Sequence, residues 1–226
     1  PESYLNRDYR MKASMLWDYE MIQGLASLKK TDWVPFIYKS WNAKVTIDGK
    51  QYTSYNTDGT NSGYVFRKFV RNYEGADRGE GDYNWPVVRL ADVYLMYAEA
   101  TNELYGPQQD AIDLVNRIRH RGNLPPLASD KISDKKAFFD AIEQERIVEL
   151  IAEGHRAFDL RRWRAIERVW GEPGSEEVWM GDTHSDKVYS WYKNLNERLY
   201  QQAYIFQIPP KERDRNPNLT QNTPWL

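Results

Sequence analysis

The chain has 226 residues, long enough for one or two domains with a core of ordinary size. Its 31 Lys and Arg against 33 Asp and Glu leave a net charge of −2, without the basic field that a nucleic-acid backbone requires of its partner. The mean hydropathy is −0.81, no apolar run approaches the roughly 18 residues of a membrane span, and with no cysteine there is no disulfide, thiol nucleophile, cysteine-ligated zinc or cysteine-borne lipid anchor within these residues.

The aromatic residues carry more information: 9 Trp and 16 Tyr against 7 Phe. Trp and Tyr join an apolar ring to a polar handle, which suits half-wet binding surfaces as well as cores. The chain opens on Pro1-Glu2-Ser3-Tyr4 with no basic and apolar leader. It reads as the later part of something longer, or as a processed chain.

Residues 1–75 read as loops with short helical or extended pieces, and Arg10–Trp17 suits a short strand or a helical turn. Val45–Thr53 alternates around Asp48-Gly49, a hairpin signature. Tyr64–Phe69 returns to a strand-like pattern, and residues 74–84 form a polar, glycine-rich loop.

From Pro86 the pattern becomes helical. Leu90, Tyr94, Tyr97, Ala98, Thr101 and Tyr105 share one face at helical spacing. Gly106-Pro107 ends that helix and begins the next, where Ala111, Leu114, Val115 and Ile118 form a second stripe ending near Gly122. Two such helices make a hairpin of tetratricopeptide type. No second copy follows at the 34-residue offset of that repeat, so the pair must pack on other helices. A third helix is expected from an N-cap at Ser133 to about Ala152, with Phe138, Ala141, Ile142, Val148 and Ala152 inward. Gly154 interrupts it, and a further helix runs from His155 toward Trp170. Residues 171–203 read as a loop region, and 204–226 as an extended, proline-rich tail.

Enzyme motifs are absent: no P-loop, no dinucleotide fingerprint, no HExxH, no GxSxG. His155 lies near Glu149 and Glu153, but Ala152 stands where a Glu-x-x-His metal motif needs its carboxylate. A carboxylate pair for glycosidase chemistry carries no signal among 33 acidic residues. Asp58-Gly59-Thr60-Asn61 lacks the spacing of a calcium loop and reads as a turn. Neither a metal nor a cofactor is expected, and the chain is not expected to be an enzyme.

Glu145, Arg146, Glu149, Glu153, Arg156, Asp159, Arg161, Arg162 and Arg164 form a mixed charge run. The Glu145–Glu149 and Glu149–Glu153 pairs repel at i,i+4 unless cations bridge them. One reading is a partly buried network at the Gly154 bend, with Arg156, Arg161 or Arg162 folding back. The other is an anion-binding patch with Trp163 interleaved. Local matching of acids and bases favours the network.

Three stretches resemble the SusD/RagB family: Trp85-Pro86-Val87-Val88-Arg89-Leu90-Ala91-Asp92-Val93-Tyr94 continuing to Ala100; Glu145–Leu150 with Glu153–Trp163; and Ile208–Arg213 with Asn216–Asn222. Asp8–Met11 and Tyr64–Phe69 resemble weaker upstream features. The resemblance implies a mainly α fold, with helix pairs of tetratricopeptide-like type, long irregular loops and a small β-hairpin. It implies a surface lipoprotein of the outer membrane that captures a nutrient, usually an oligosaccharide, and passes it to a SusC-like TonB-dependent transporter. A membrane would be met only through a lipid anchor outside this chain. The resemblance is to the C-terminal portion of the family: residues 1–84 as a loop-rich, ligand-facing segment, and 85–226 as helical scaffold and tail. A peptide- or protein-binding scaffold is the alternative.

The matched motifs read as scaffold, so ligand candidates come from the residues themselves. Trp17, Trp33, Trp41, Tyr52 and Tyr55 lie in polar, irregular segments, with Asn42 and Asp58 beside them. Such rings stack on the C–H faces of sugars, and Asn and Asp bind hydroxyls. Trp179 and Trp191 are secondary candidates.

Overall fold

The computed structural model describes residues 7–16, 19–23, 33–36, 44–53, 65–69, 84–170, 177–181, 188–193 and 200–226. They fall into two units, the first through Glu153 and the second from Gly154.

The first unit is built on three helices, α2 (Leu90–Tyr105), α3 (Gln109–Arg121) and α4 (Lys135–Glu149). Leu95 and Ala98 from α2, Ala111, Ile112, Val115 and Ile118 from α3, and Phe138 and Ile142 from α4 make one core, closed by Leu150. The helix pair expected from the sequence therefore exists, and α4 covers it. The buried face of α2 differs from the expected one. Asp92, Leu95, Ala98 and Asn102 point inward, whereas Leu90 is 61% and Tyr105 72% exposed. The cause is that α2 is apolar around most of its girth, so periodicity alone defines no single face. On α3, Ile112 is buried and Leu114 only half-buried.

Helix α4 is capped by Asp134, whose carboxylate accepts from the Ala137 amide at 2.9 Å. The expected cap, Ser133, instead donates to the Asp130 carbonyl at the end of a 3-10 turn, Ser129–Ile132. Asp competes well for this position, because its oxygen reaches the free first-turn amides and its charge suits the helix N-terminus.

Upstream, α1 (Arg10–Ser14) runs directly into β1 (Met15–Leu16), so the segment is both helical turn and strand. β1 pairs antiparallel with β6 (Val65–Phe66), and β2 (Met21–Gln23) with β3 (Trp33–Pro35). The hairpin β4 (Lys44–Ile47) and β5 (Lys50–Thr53) turns at Asp48 and Gly49, with φ of 49° and 75°. Two left-handed residues in succession are what a tight type I′ turn demands. The polar loop at 74–83 lies outside the described residues.

In the second unit, α5 (His155–Arg162) and α6 (Ile166–Trp170) are separated by Arg164 at φ 54°. The Ala165 amide bonds back to the Leu160 carbonyl at 2.9 Å, so the expected single helix ends in a left-handed cap and restarts. Leu160, Ala165 and Ile166 pack with Trp163, Ala203 and Tyr204. The expected loop at 171–203 contains a bulged hairpin, β7 (Glu177–Gly181) with β8 (Val188–Lys193), and then α7 (Tyr200–Tyr204). Val188 and the three aromatic residues of Val188–Tyr192 suit a strand.

The tail is not merely extended. It forms α8 (Pro210–Arg215) and a 3-10 turn, Thr223–Trp225. Buried Gln221 replaces a strand partner there: its side chain accepts from the Ile208 and Asn222 amides and donates to the Ile208 carbonyl at 3.1 Å. Trp225 Nε1 donates to the Ile205 carbonyl at 2.6 Å. Among the described residues no helix is long and apolar enough to cross a membrane.

Candidate functional site

Of the ligand candidates, Tyr52 is described most fully. It sits on β5 opposite Val45, half-buried. Lys50, two residues earlier and on the same face of the strand, places its ammonium 5.0 Å from the ring centroid. A cation at that distance is attracted to the ring quadrupole, about 0.5–1 kcal/mol at an exposed site. The hairpin thus holds an aromatic platform and a donor side by side.

Trp33 lies on β3 opposite Gln23, and Trp179 and Trp191 lie on the strands of the second hairpin. Their side chains are outside the description. Trp17, Trp41, Asn42, Tyr55 and Asp58 lie outside the described residues.

What positions the upstream segment on the helices is a ladder of carboxylates that the sequence only hints at. Glu145, Glu149 and Glu153 follow one another at the spacing of a helical turn, all nearly buried. Arg10 Nη1 donates to Glu145 at 2.5 Å and to Glu149 at 2.9 Å. Asp8 holds the other side of the same guanidinium. Arg89 donates to Glu149 at 2.9 Å and to Glu153 at 2.7 Å. Arg121 adds a bond to Glu149, Arg119 one to Glu145, and Lys68 one to Glu153.

The expected network therefore exists, with different cations. Arg10, Lys68, Arg89, Arg119 and Arg121 bridge the ladder; Arg161 and Arg162 instead bond within the second unit, to the Ala203 carbonyl and to Asp159. Glu145 and Glu149 on the inner face of α4, with Glu153 in the turn just beyond it, announce that cations must come. Their origin up to 139 residues away is not readable from the sequence. Deeper still, Arg146 Nη1 donates to Asp92 at 2.9 Å, with both side chains almost fully buried.

The electrostatics follow. Burial opposes ionisation of Glu149, but bonds from Arg10, Arg121 and Arg89 outweigh it and hold the carboxyl below the usual carboxylate range. Burial likewise opposes ionisation of Glu153, and Arg89 and Lys68 outweigh it. Hydrogen bonds to Glu153 lead the causes that raise the Arg89 pKa. These groups are ionised partners in a structural clamp. Nothing in the arrangement poises one of them for proton transfer near neutrality. The ladder ties Arg10, Lys68 and Arg89 to the end of α4.

Comparison with known proteins agrees. The family model described as "SusD family" matches residues 1–225. A SusD-like protein (P25) of Formosa agariphila is 33% identical over 161 residues, covering 70% of this chain and 27% of that protein. A second from the same organism (P2) is 27% identical over 214 residues, covering 83% of this chain and 38% of its own. The crystal structure of a SusD-like protein from Bacteroides fragilis superposes with a TM-score of 0.69 at 26% identity, over 97% of this chain and 39% of that one. The chain thus spans well under half the length of these relatives. With a match along nearly its whole length and a shared mainly helical fold, the chain belongs to the SusD family, a family of nutrient-binding proteins generally associated with the outer membrane.

Proposed function

We propose that this chain works in glycan capture at the cell surface, as part of the binding component of a SusC/SusD-like uptake system that hands oligosaccharide to a TonB-dependent transporter. The observation that carries the reading is the family match over residues 1–225. In this reading residues 1–84 face the ligand, and residues 85–226 are scaffold and tail. Tyr52 offers its ring to the C–H face of a sugar, with Lys50 fixing one side of the platform. Trp17, Trp33, Trp41 and Tyr55 are the further stacking candidates, and Asn42 and Asp58 the hydroxyl partners. The carboxylate ladder supports the reading, because a loop-rich segment binds well only where a rigid element holds it.

The test is affinity electrophoresis of the chain, and of its Tyr52→Ala and Trp41→Ala variants, through gels carrying a panel of neutral and acidic polysaccharides. Retardation on at least one polysaccharide, weakened in a variant, is expected. Retardation that neither substitution alters would remove these rings from the site. Binding of oligopeptides without any polysaccharide would replace the ligand class. Co-purification with a SusC-like transporter tests the hand-over separately.

A further inference from the structure

Between the first turn of α2 and the last turns of α3 lies a cavity of about 490 Å³, a volume typical of small-ligand sites. Its wall includes Arg89, Leu90, Tyr94, Arg117, His120 and Arg121, and no acidic side chain among the described residues lines it. Arg117, His120 and Arg121 occupy positions i, i+3 and i+4 of α3, so three basic side chains share one face. The like-charged Arg117–Arg121 pair, at i,i+4, disfavours the helix mildly.

Part of this basicity has a structural use. Arg89 spends all three of its nitrogens on Glu149 and Glu153. Arg121 gives Nη2 to Glu149, but its side chain remains 59% exposed. Bases in the last turn also suit the C-terminal end of a helix. Arg117 is explained by neither use. It precedes the last turn, lies 5.6 Å above the Tyr94 ring, and forms no ion pair among the described residues. His120 forms none either.

We infer that this cavity binds the anionic group of an acidic saccharide, a carboxylate or a sulfate ester, between Arg117 and Arg121. Leu90 and Tyr94 supply apolar surface beside the sugar ring. The guanidinium forks suit a planar or tetrahedral oxyanion in a way that a point charge does not. The inference rests on the glycan-capture reading and narrows its ligand class.

The test runs the chain at about 0.15 M salt, where exposed charges more than roughly 8 Å apart are largely screened. The gels carry polygalacturonate, dextran sulfate, dextran or polyglutamate. Arg117→Gln is compared with Lys136→Gln, which removes the same charge from an exposed side chain on α4. Arg117 takes no part in the ladder, so its variant is expected to stay folded and to lose no more than its contact with the Tyr94 ring. Retardation by polygalacturonate or dextran sulfate is expected, and whichever acts identifies carboxylate or sulfate as the source. Arg117→Gln should weaken it roughly tenfold or more, as loss of a charge-assisted bond does, and Lys136→Gln should leave it unchanged. An equal loss in both variants, or equal retardation by polyglutamate, overturns the inference. Retardation by dextran alone overturns it while leaving glycan capture standing. No retardation on any of the four gels overturns it as well, and the wider neutral panel then decides whether glycan capture survives.

Discussion

Gly122 stands against Arg10. A Cβ at position 122 would lie 2.8 Å from Arg10 Nε and 3.2 Å from Cδ. The glycine is therefore present for room and not for an unusual backbone: its φ is −79°, and the left-handed residue that ends α3 is the next one, Asn123, at φ 58°. The Leu124 amide bonds back to the Arg119 carbonyl across that turn.

The approach gives a first prediction. Arg10 cannot step aside cheaply, since Asp8, Glu145 and Glu149 hold its guanidinium. Gly122→Ala should cost about 1–3 kcal/mol of stability, the usual range for overpacking. In an Arg10→Ala background the same change should be nearly neutral. A double-mutant cycle by urea denaturation reads the coupling directly. Equal costs in both backgrounds would show that the two residues do not constrain each other.

Acid should weaken the ladder from a definite point downward. Glu149 and Glu153 have native pKa values below the ordinary 4.5. The unfolded chain therefore takes up protons first as pH falls. The stability these carboxylates contribute is fully present above about 4.5 and is lost as pH drops through their lowered native values. Thermal midpoints of the chain between pH 7 and pH 3 should be level in their contribution above that point and fall below it. Glu149→Gln should lower the midpoint at pH 7 and flatten the acid limb.

The pair Asp92–Arg146 is nearly sealed from solvent, with side chains 6% and 4% exposed. Removing one partner of such a pair leaves the other charge buried, typically at a cost of about 3–5 kcal/mol. Asp92→Ala should reach that range in chemical denaturation, well beyond the loss expected at an exposed acid of the same helix such as Glu103. A cost under about 1 kcal/mol, as at an exposed ion pair, would mean that solvent reaches the pair.

In the second unit, Gln221 satisfies the Ile208 amide, the Ile208 carbonyl and the Asn222 amide with one side chain. Gln221→Leu keeps the bulk and strands those groups, at a cost of about 1–3 kcal/mol for each that stays dry. Hydrogen exchange at the Ile208 amide should accelerate by at least tenfold, while amides of α3 keep their protection. Unchanged exchange at Ile208 would show that water replaces the glutamine without cost.

Local chemistry made part of this fold readable in advance. Asp48-Gly49 between alternating residues dictates its hairpin, because few pairs tolerate two successive left-handed conformations. The stripe on α3 is narrow enough to face its core nearly as its spacing implies. Gly106, at φ 74°, closes α2 where expected. Other features misled for physical reasons. Asp134 outcompeted Ser133 as a cap, and the hairpin at 177–193 lacks the Asp-Gly turn signal that marked the first one. Of the candidate binding residues, Tyr52 alone has its ring placed by the described structure, beside Lys50.

The sequence by itself determined where α2, α3, α4 and the Asp48-Gly49 hairpin form, which motifs mark the family, and that closely spaced carboxylates at the end of α4 need cations. Those properties rest on neighbours within a few residues, whose sterics and spacing act before the chain folds. Only the tertiary structure decided which cations answer and which face of α2 turns inward. A helix apolar on most sides has no intrinsic preference, and the cations that neutralise Glu145, Glu149 and Glu153 come from four separate stretches of chain, at Arg10, Lys68, Arg89 and Arg119–Arg121. Long-range electrostatic pairing leaves no periodic trace in a sequence, because every arginine carries the same charge and only packing decides which of them meets a buried carboxylate.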